Sequence, residues 1–354
     1  MTIEADGPWR VTFDTNPDDC NLRCVMCEDH SVFSTTQRIR AKKGIVPRRM
    51  DVALIRQVVG EAARHGLREI IPSTMGEPLL YSDFDEILRI CADYGVRLNL
   101  TTNGTFPRRP VEEWARLIVP VGSDVKVSLN GAQSETDERI MIGAHFQPIL
   151  DNVRRFIRVR NEVEQKSGQH CNVTLQSTFL ESNFQELPEM IRLAADLGVD
   201  RVKGHHLWVH FPQIAALSMR RDKRAIGRWN SVVEEVERAT ERYVKADGRK
   251  VVVEGTFRLD PDSDEIVPDG QCPFLGQEAW VASDGRFNPC CAPDTARRTL
   301  GEFGNLYQSR LIEIWRGSEY LNLVRSYRDR PLCRSCNMRR RSVRPAEQRA
   351  PLVA

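Results

Sequence analysis

The stretch NPDDCNLRCVMCEDH, residues 16–30, sets three cysteines, Cys20, Cys24 and Cys27, on one short polar loop. It directly follows the β-rich run WRVTFDT (9–15), so the thiols leave the end of a strand. Three thiolates at this spacing can bind three irons of a cubane [4Fe–4S] cluster and leave the fourth iron open to a substrate or cofactor. The rival is a zinc ion, which in a structural site wants a fourth protein ligand that His30 could supply. Spacing and loop position favour iron–sulfur.

Working outward, five further β-rich runs follow: REIIPS (68–73), VRLNLTTN (96–103), DVKVSLN (124–130), NVTLQSTFL (172–180) and DRVKGHHLW (200–208). Helical patterns separate them. One runs from an Asp51 N-cap to a Gly66 stop, one from Ser82 or Asp83 to Gly95, one opens at Pro148, and one ends at Gly198. Strands alternating with helices predict βα units on a parallel sheet, either a partial (β/α)6 TIM-like barrel or an open doubly wound sheet. Side-chain parity favours the barrel. Val125, Val127 and Leu129 share one face while Lys126, Ser128 and Asn130 share the other, as expected of a wall around a polar lumen.

Of ten cysteines, five more fall near the end. Cys272 and Cys290 flank SDGR, read as the turn of a hairpin, and Cys333 and Cys336 form a later C-x2-C. Four thiolates complete a second [4Fe–4S] cluster, with a zinc ribbon as the alternative. Cys91 and Cys171 fit the core, Cys91 at helical spacing with Phe84, Ile87 and Leu88. Cys291, beside a ligand, is either passive or a hydrogen-atom donor.

The C-x3-C-x2-C loop resembles that of the radical S-adenosylmethionine (SAM) enzymes, and the resemblance covers most of the chain. It implies that the open iron chelates SAM, which on reduction yields a 5′-deoxyadenosyl radical that abstracts a substrate hydrogen. STMGEP (73–78) is similar to the family's Gly-Gly-Glu-Pro motif, so Gly76 and Glu77 are implied to hold the methionine ammonium; Met75 departs from the usual glycine. Asn103 in TTNG, Ser128, Gln176 and Met26 occupy positions that the resemblance assigns to SAM. The C-terminal segment resembles the SPASM/twitch extension, in the shorter form with one auxiliary cluster, since residues 337–354 contain no cysteine. The implied complement is two [4Fe–4S] clusters, SAM and an electron donor such as flavodoxin or ferredoxin.

The expected domains are a barrel over 1–222, a helix and connector over 223–265, an auxiliary-cluster domain over 266–340 and a flexible tail over 341–354. Fifty-one Lys+Arg against 49 Asp+Glu give a charge of +2, which makes no electrostatic case for nucleic acid. No apolar run nears the roughly 20 residues that span a bilayer. The N-terminus has no apolar signal-peptide core, so a cytoplasmic location is expected. The basic stretch 37–49 reads as a solvated loop or as a lid over an anionic ligand. Candidate substrate residues at the barrel mouth are Asp14, His30, Lys203, His205, His206 and His210. The substrate expected from this architecture is a small polar metabolite (a sugar, aminocyclitol or nucleoside) that is dehydrogenated or epimerised. Radical decarboxylation of a sugar acid, modification of a ribosomal peptide and a non-catalytic metal-binding module are the alternatives.

Overall fold

In a computed structural model of the chain, the described residues are 6–73, 75–260, 270–334, 336, 338 and 339. The elements in order are β1 (Arg10–Phe13), α1 (Thr36–Lys42), α2 (Val52–Ala62), β2 (Glu69–Ile71), α3 (Phe84–Tyr94), β3 (Arg97–Thr102), α4 (Val111–Ile118), β4 (Gly122–Ser128), α5 (Ser134–Ile140) and α6 (Phe146–Ser167). There follow β5 (Asn172–Phe179), α7 (Leu187–Leu197), β6 (Arg201–His206), α8 (Lys223–Arg242), β7 (Val252–Glu254), β8 (Glu278–Val281) and β9 (Phe287–Asn288). Four short helices end the described chain: α9 (Asp294–Arg297), α10 (Leu311–Arg316), α11 (Ser318–Ser326) and α12 (Pro331–Arg334).

The local punctuation acts as the sequence predicts at most places. Asp51 caps α2 by accepting from Ala53 N at 2.8 Å. Gly66, Gly95 and Gly198 stop their helices in left-handed conformations that a Cβ disfavours. α6 begins at Phe146, two residues before Pro148, which therefore lies within its first turn, where its missing N–H costs nothing.

Strands β1 to β6 lie side by side in chain order, and every pair is parallel. A doubly wound sheet would reverse that order at a switch point, so the continuous winding identifies the wall of a partial barrel. Both edges are extended. β7 adds parallel to β6, and β8 adds parallel to β1 while pairing antiparallel with β9. The predicted hairpin around 283–286 therefore exists, but it belongs to the barrel sheet. Residues 261–265, at the end of the expected helix and connector, and the expected flexible tail, 341–354, lie outside the described residues.

Apolar side chains cover the helix-facing side, including Val125, Val127, Cys171, Val173 and Leu175, all 1% exposed or less. The opposite face carries a charged belt near the strand starts. Arg10 reaches Glu69 at 3.0 Å and also binds Glu278. Glu69 further accepts from Asn99 at 3.0 Å, and Arg201 spans Asp124 (3.0 Å) and Glu254 (2.8 Å). The belt floors the lumen with polar groups drawn from seven strands.

The auxiliary region is latched to the barrel by Glu61 of α2. This buried carboxylate accepts from Leu311 N at 3.1 Å and Ile312 N at 3.2 Å, the open N–H groups at the start of α10.

Candidate active site and metal centres

The loop after β1 folds back on itself. Leu22 N donates to Cys20 Sγ and His30 N to Cys27 Sγ, each at 3.4 Å. Backbone bonds from Arg23 N to Ile142 O and from Val25 N to Ile140 O, both 2.9 Å, pin the loop beyond α5. Burial pushes the Cys20 thiol up to about 11 and raises Cys24 and Cys27 as well; Glu77 and Cys27 add to it at Cys20, Cys27 and Cys20 at Cys24, and Asp29 and Glu28 at Cys27. Three half-buried thiols on one loop, each raised by its surroundings, are a donor set that a bound cation would satisfy, since metal binding deprotonates thiols. Among the described residues, no three His, Cys, Asp or Glu side chains are gathered to hold a single metal ion. A cubane offers its irons at separate corners, so its cysteines need not meet at one point. The donors thus fit a [4Fe–4S] cluster.

The zinc alternative loses its fourth ligand, because His30 is buried with Nε2 2.7 Å from Pro17 O. That contact commits the His30 Nε2 to the backbone of its own loop.

Gly76 lets the next loop close on the first. It has φ +79°, and a Cβ there would stand 2.4 Å from Asn16 O. Glu77 is 1% exposed; Thr102 Oγ1 donates to it at 2.8 Å, Asn103 N at 2.7 Å and Leu79 N at 3.2 Å. Burial outweighs these donors and lifts the carboxyl to about 7. Asn103 is likewise committed, donating to Asn21 Oδ1 at 2.7 Å and accepting from Thr105. Glu77 and Asn103 thus tie the loops after β1, β2 and β3 together. Ser128, Gln176 and Lys203 line up in register across β4, β5 and β6, all partly open to the lumen. Met26 is half-buried against the core.

The raised Glu77 carboxyl has a stability consequence. Its folded value exceeds the ordinary 4.5, so its contribution is full below 4.5 and is lost as pH rises through about 7. Between pH 5 and 8 the melting temperature of the wild type should fall relative to that of Glu77→Gln, which cannot ionise. Parallel curves for the two proteins would reject the assignment.

The basic stretch straps the cluster loop. Arg40 and Arg48 bind Asp18 at 3.0 and 2.7 Å, Arg48 also binds Asp29 at 2.8 Å, and Arg49 binds Asp19 at 2.9 Å. Burial opposes ionisation of Asp18, but the Arg48 bonds win and hold it at about 2.

The histidines separate by parity. His205 faces the lumen and is exposed there, its Nε2 3.5 Å from Thr178 Oγ1; surrounding protein and the Lys203 charge bring the imidazole down to about 4. His206 faces the helices. Its ring stands 4.6 Å from Trp229 and 5.5 Å from Phe179, and neither nitrogen has a partner. It is therefore a packed neutral residue and not a substrate contact. His210, half-buried, lies beyond β6 where Phe211 meets Phe33 of the cluster loop at 6.5 Å. Asp14 is buried at the end of β1, its backbone N bonded to Val281 O. Lys203 pairs with Glu254 at 3.4 Å.

Cys272, Cys290, Cys333 and Cys336 come together around the β8–β9 hairpin and α12. Burial pushes Cys290 up to about 12 and Cys333 to about 11, with the other cysteines of the set adding to both. Leu275 N donates to Cys272 Sγ at 3.5 Å. This donor set fits a second cluster by the same reasoning. Cys291 keeps accessible surface although it lies deep among protein atoms, within electrostatic reach of Glu278.

The family model of the radical SAM superfamily matches residues 17–194, and that of the SPASM iron–sulfur cluster-binding domain matches 272–337. The chain belongs to the radical SAM superfamily. It is an enzyme of SAM and [4Fe–4S] clusters. A PqqA peptide cyclase of Methylobacterium nodulans is 28% identical over 335 residues, 90% of this chain and 76% of that one. A probable GTP 3′,8-cyclase of Thermococcus kodakarensis is 28% identical over 181 residues, 51% of each chain. Among solved structures, Streptococcus suis SuiB bound to SAM superposes with TM-score 0.64 at 14% identity over 94% of this chain and 72% of that one. Native anSMEcpe, with bound AdoMet and the Cp18Cys peptide, gives 0.62 at 13% over 93% and 88%. At such identities the superpositions establish the fold alone. No helix among the described residues is long and apolar enough to cross a membrane.

Proposed function

We propose that this radical SAM enzyme modifies a peptide. The observation that carries the reading is the similarity to PqqA peptide cyclases, which runs through both the barrel and the auxiliary region. It supports the peptide alternative over the small polar metabolite expected from the architecture. In this reading Cys20, Cys24 and Cys27 hold the first cluster, and Cys272, Cys290, Cys333 and Cys336 the auxiliary one. Gly76, Glu77, Met26, Asn103, Ser128 and Gln176 form the SAM site, with Glu77 and Asn103 positioning the loops that surround it. When bound, SAM and the reduced cluster supply a radical able to remove a hydrogen atom from substrate. The chain's own contribution is to orient the substrate within the lumen and exclude water from it.

The test is anaerobic turnover of the reconstituted enzyme with short peptides encoded next to it, followed by mass spectrometry. A peptide-dependent product, two mass units lighter for dehydrogenation or cross-linking and unchanged for epimerisation, is expected. Turnover of aminocyclitols or nucleosides with none of the peptides would overturn the reading. The same assay with Cys291→Ala decides whether that thiol donates hydrogen, since abortive 5′-deoxyadenosine release without inverted product would be its signature.

A further inference from the structure

Lys126 stands in the middle of the charged belt and shares none of its bonds. Its side chain faces the lumen from β4 and is nine-tenths buried. Most acid oxygens around it are committed elsewhere. Asp124 is held by Arg201 and Thr174, Glu69 by Arg10, Asn99 and Ser123, and Glu254 by Arg201 and Lys203, while Glu278 is held by Arg10 through Oε1 and keeps a buried Oε2 without a partner, within electrostatic reach of Lys126. Lys126 makes no hydrogen bond or ion pair with any described residue, although the fields of Asp124 and Glu69 reach it. Four polar atoms of the floor, Thr12 Oγ1, Asn99 Oδ1, Arg10 Nε and Glu278 Oε2, are buried without partners. Charges on largely buried side chains are normally paired, because giving up most of the surrounding water without a counter-group is costly. This one is built to meet something that enters the lumen.

We propose that Lys126 anchors a substrate subsite that takes a carboxylate, the side chain of an Asp or Glu near the modified residue of the peptide. The inference rests on the peptide reading and names where such a substrate is gripped. Two features choose the ligand. Arg10, Lys126, Arg201 and Lys203 face Glu69, Asp124, Glu254 and Glu278, so the belt is balanced and tolerates one added negative charge better than the two of a phosphate. A single ammonium is also a point donor suited to one carboxylate. Position chooses the role. Lys126 lies two residues, about 6.6 Å, below Ser128 on the same face. A carboxylate held there fixes the peptide beneath the proposed SAM contacts Ser128 and Gln176.

The test compares N-acetylglutamate amide with its neutral isostere, N-acetylglutamine amide, by calorimetric titration of the reconstituted holoenzyme with SAM. The wild type should bind the acid at least tenfold more tightly. Lys126→Met should lose that preference while its iron content and melting temperature are no lower than wild type, and Lys126→Arg should keep part of it. Equal binding of the two probes, binding of neither, or an unchanged preference in Lys126→Met would overturn the subsite and leave a floor that holds only water. The two readings fail separately. If peptides are modified with the same KM by Lys126→Met, the subsite falls and the peptide reading stands. If the acid binds as expected and no peptide turns over, the carboxylate site stands and the peptide reading falls.

Discussion

Protein in which Cys20, Cys24 and Cys27 are all alanine should retain about half the iron of the wild type after anaerobic reconstitution and cleave no SAM. The wild type should carry roughly eight irons, four per cubane, and the two donor sets share no residue. The auxiliary set sits around a hairpin and α12, away from the β1 loop, so its four irons should survive. The loop itself should also persist, because Arg48, Arg40 and Arg49 hold it through Asp18, Asp29 and Asp19 independently of the sulfurs. Iron analysis and 5′-deoxyadenosine release measure the two parts. Undiminished SAM cleavage in the triple variant would remove the foundation of the assignment.

The largest effect on stability is expected at Asp200, far from the chemistry. Its carboxylate accepts from Arg160 Nη1 at 2.6 Å, Lys245 Nζ at 3.0 Å and Val173 N at 2.9 Å, and all three partners are buried. It joins α6, β5 and the turn before β7 at the foot of β6. Asp200→Ala strands two buried cations at once, and breaking a buried ion pair from one side costs about 3–5 kcal/mol. That is a large share of the roughly 5–15 kcal/mol that holds a typical protein folded. Urea denaturation should show the midpoint falling with little change in slope. A loss under about 1 kcal/mol would mean that water reaches the two cations.

How far the fold could be read depended on whether a signal was local. The six barrel strands and the capped helices α2, α3, α7 and α8 announce themselves through parity, Asp N-caps and Gly stops. The polar parity of β4 correctly placed Lys126 and Ser128 on the lumen. β7 escaped because it is only three residues, Val252–Glu254, in a polar surrounding. β8 reads EAWV and was legible as a hairpin strand, but its partner β1 lies some 268 positions away, and nothing local reports such a pairing. At the site, the cysteine spacing was explicit. His205 and His206 read alike as neighbours, yet a strand sends them to opposite faces, so only one reaches the lumen. Glu77 was legible as important; that it binds the loop after β3 emerges only once the fold closes.

The parallel pairing of β8 with β1 has a mechanical meaning. Arg10 and Phe13 of β1 lie opposite Glu278 and Val281, and the cysteine loop begins a few residues beyond Phe13 on the same strand. On the other side, Cys272 precedes the hairpin and Cys290 follows it. The first sulfur set and the Cys272–Cys290 half of the second are therefore bolted to adjoining rails of one sheet, and their spacing is gauged by strand rise and not by the reach of a tether. A protein wired in this way holds its two redox stations at a fixed pitch.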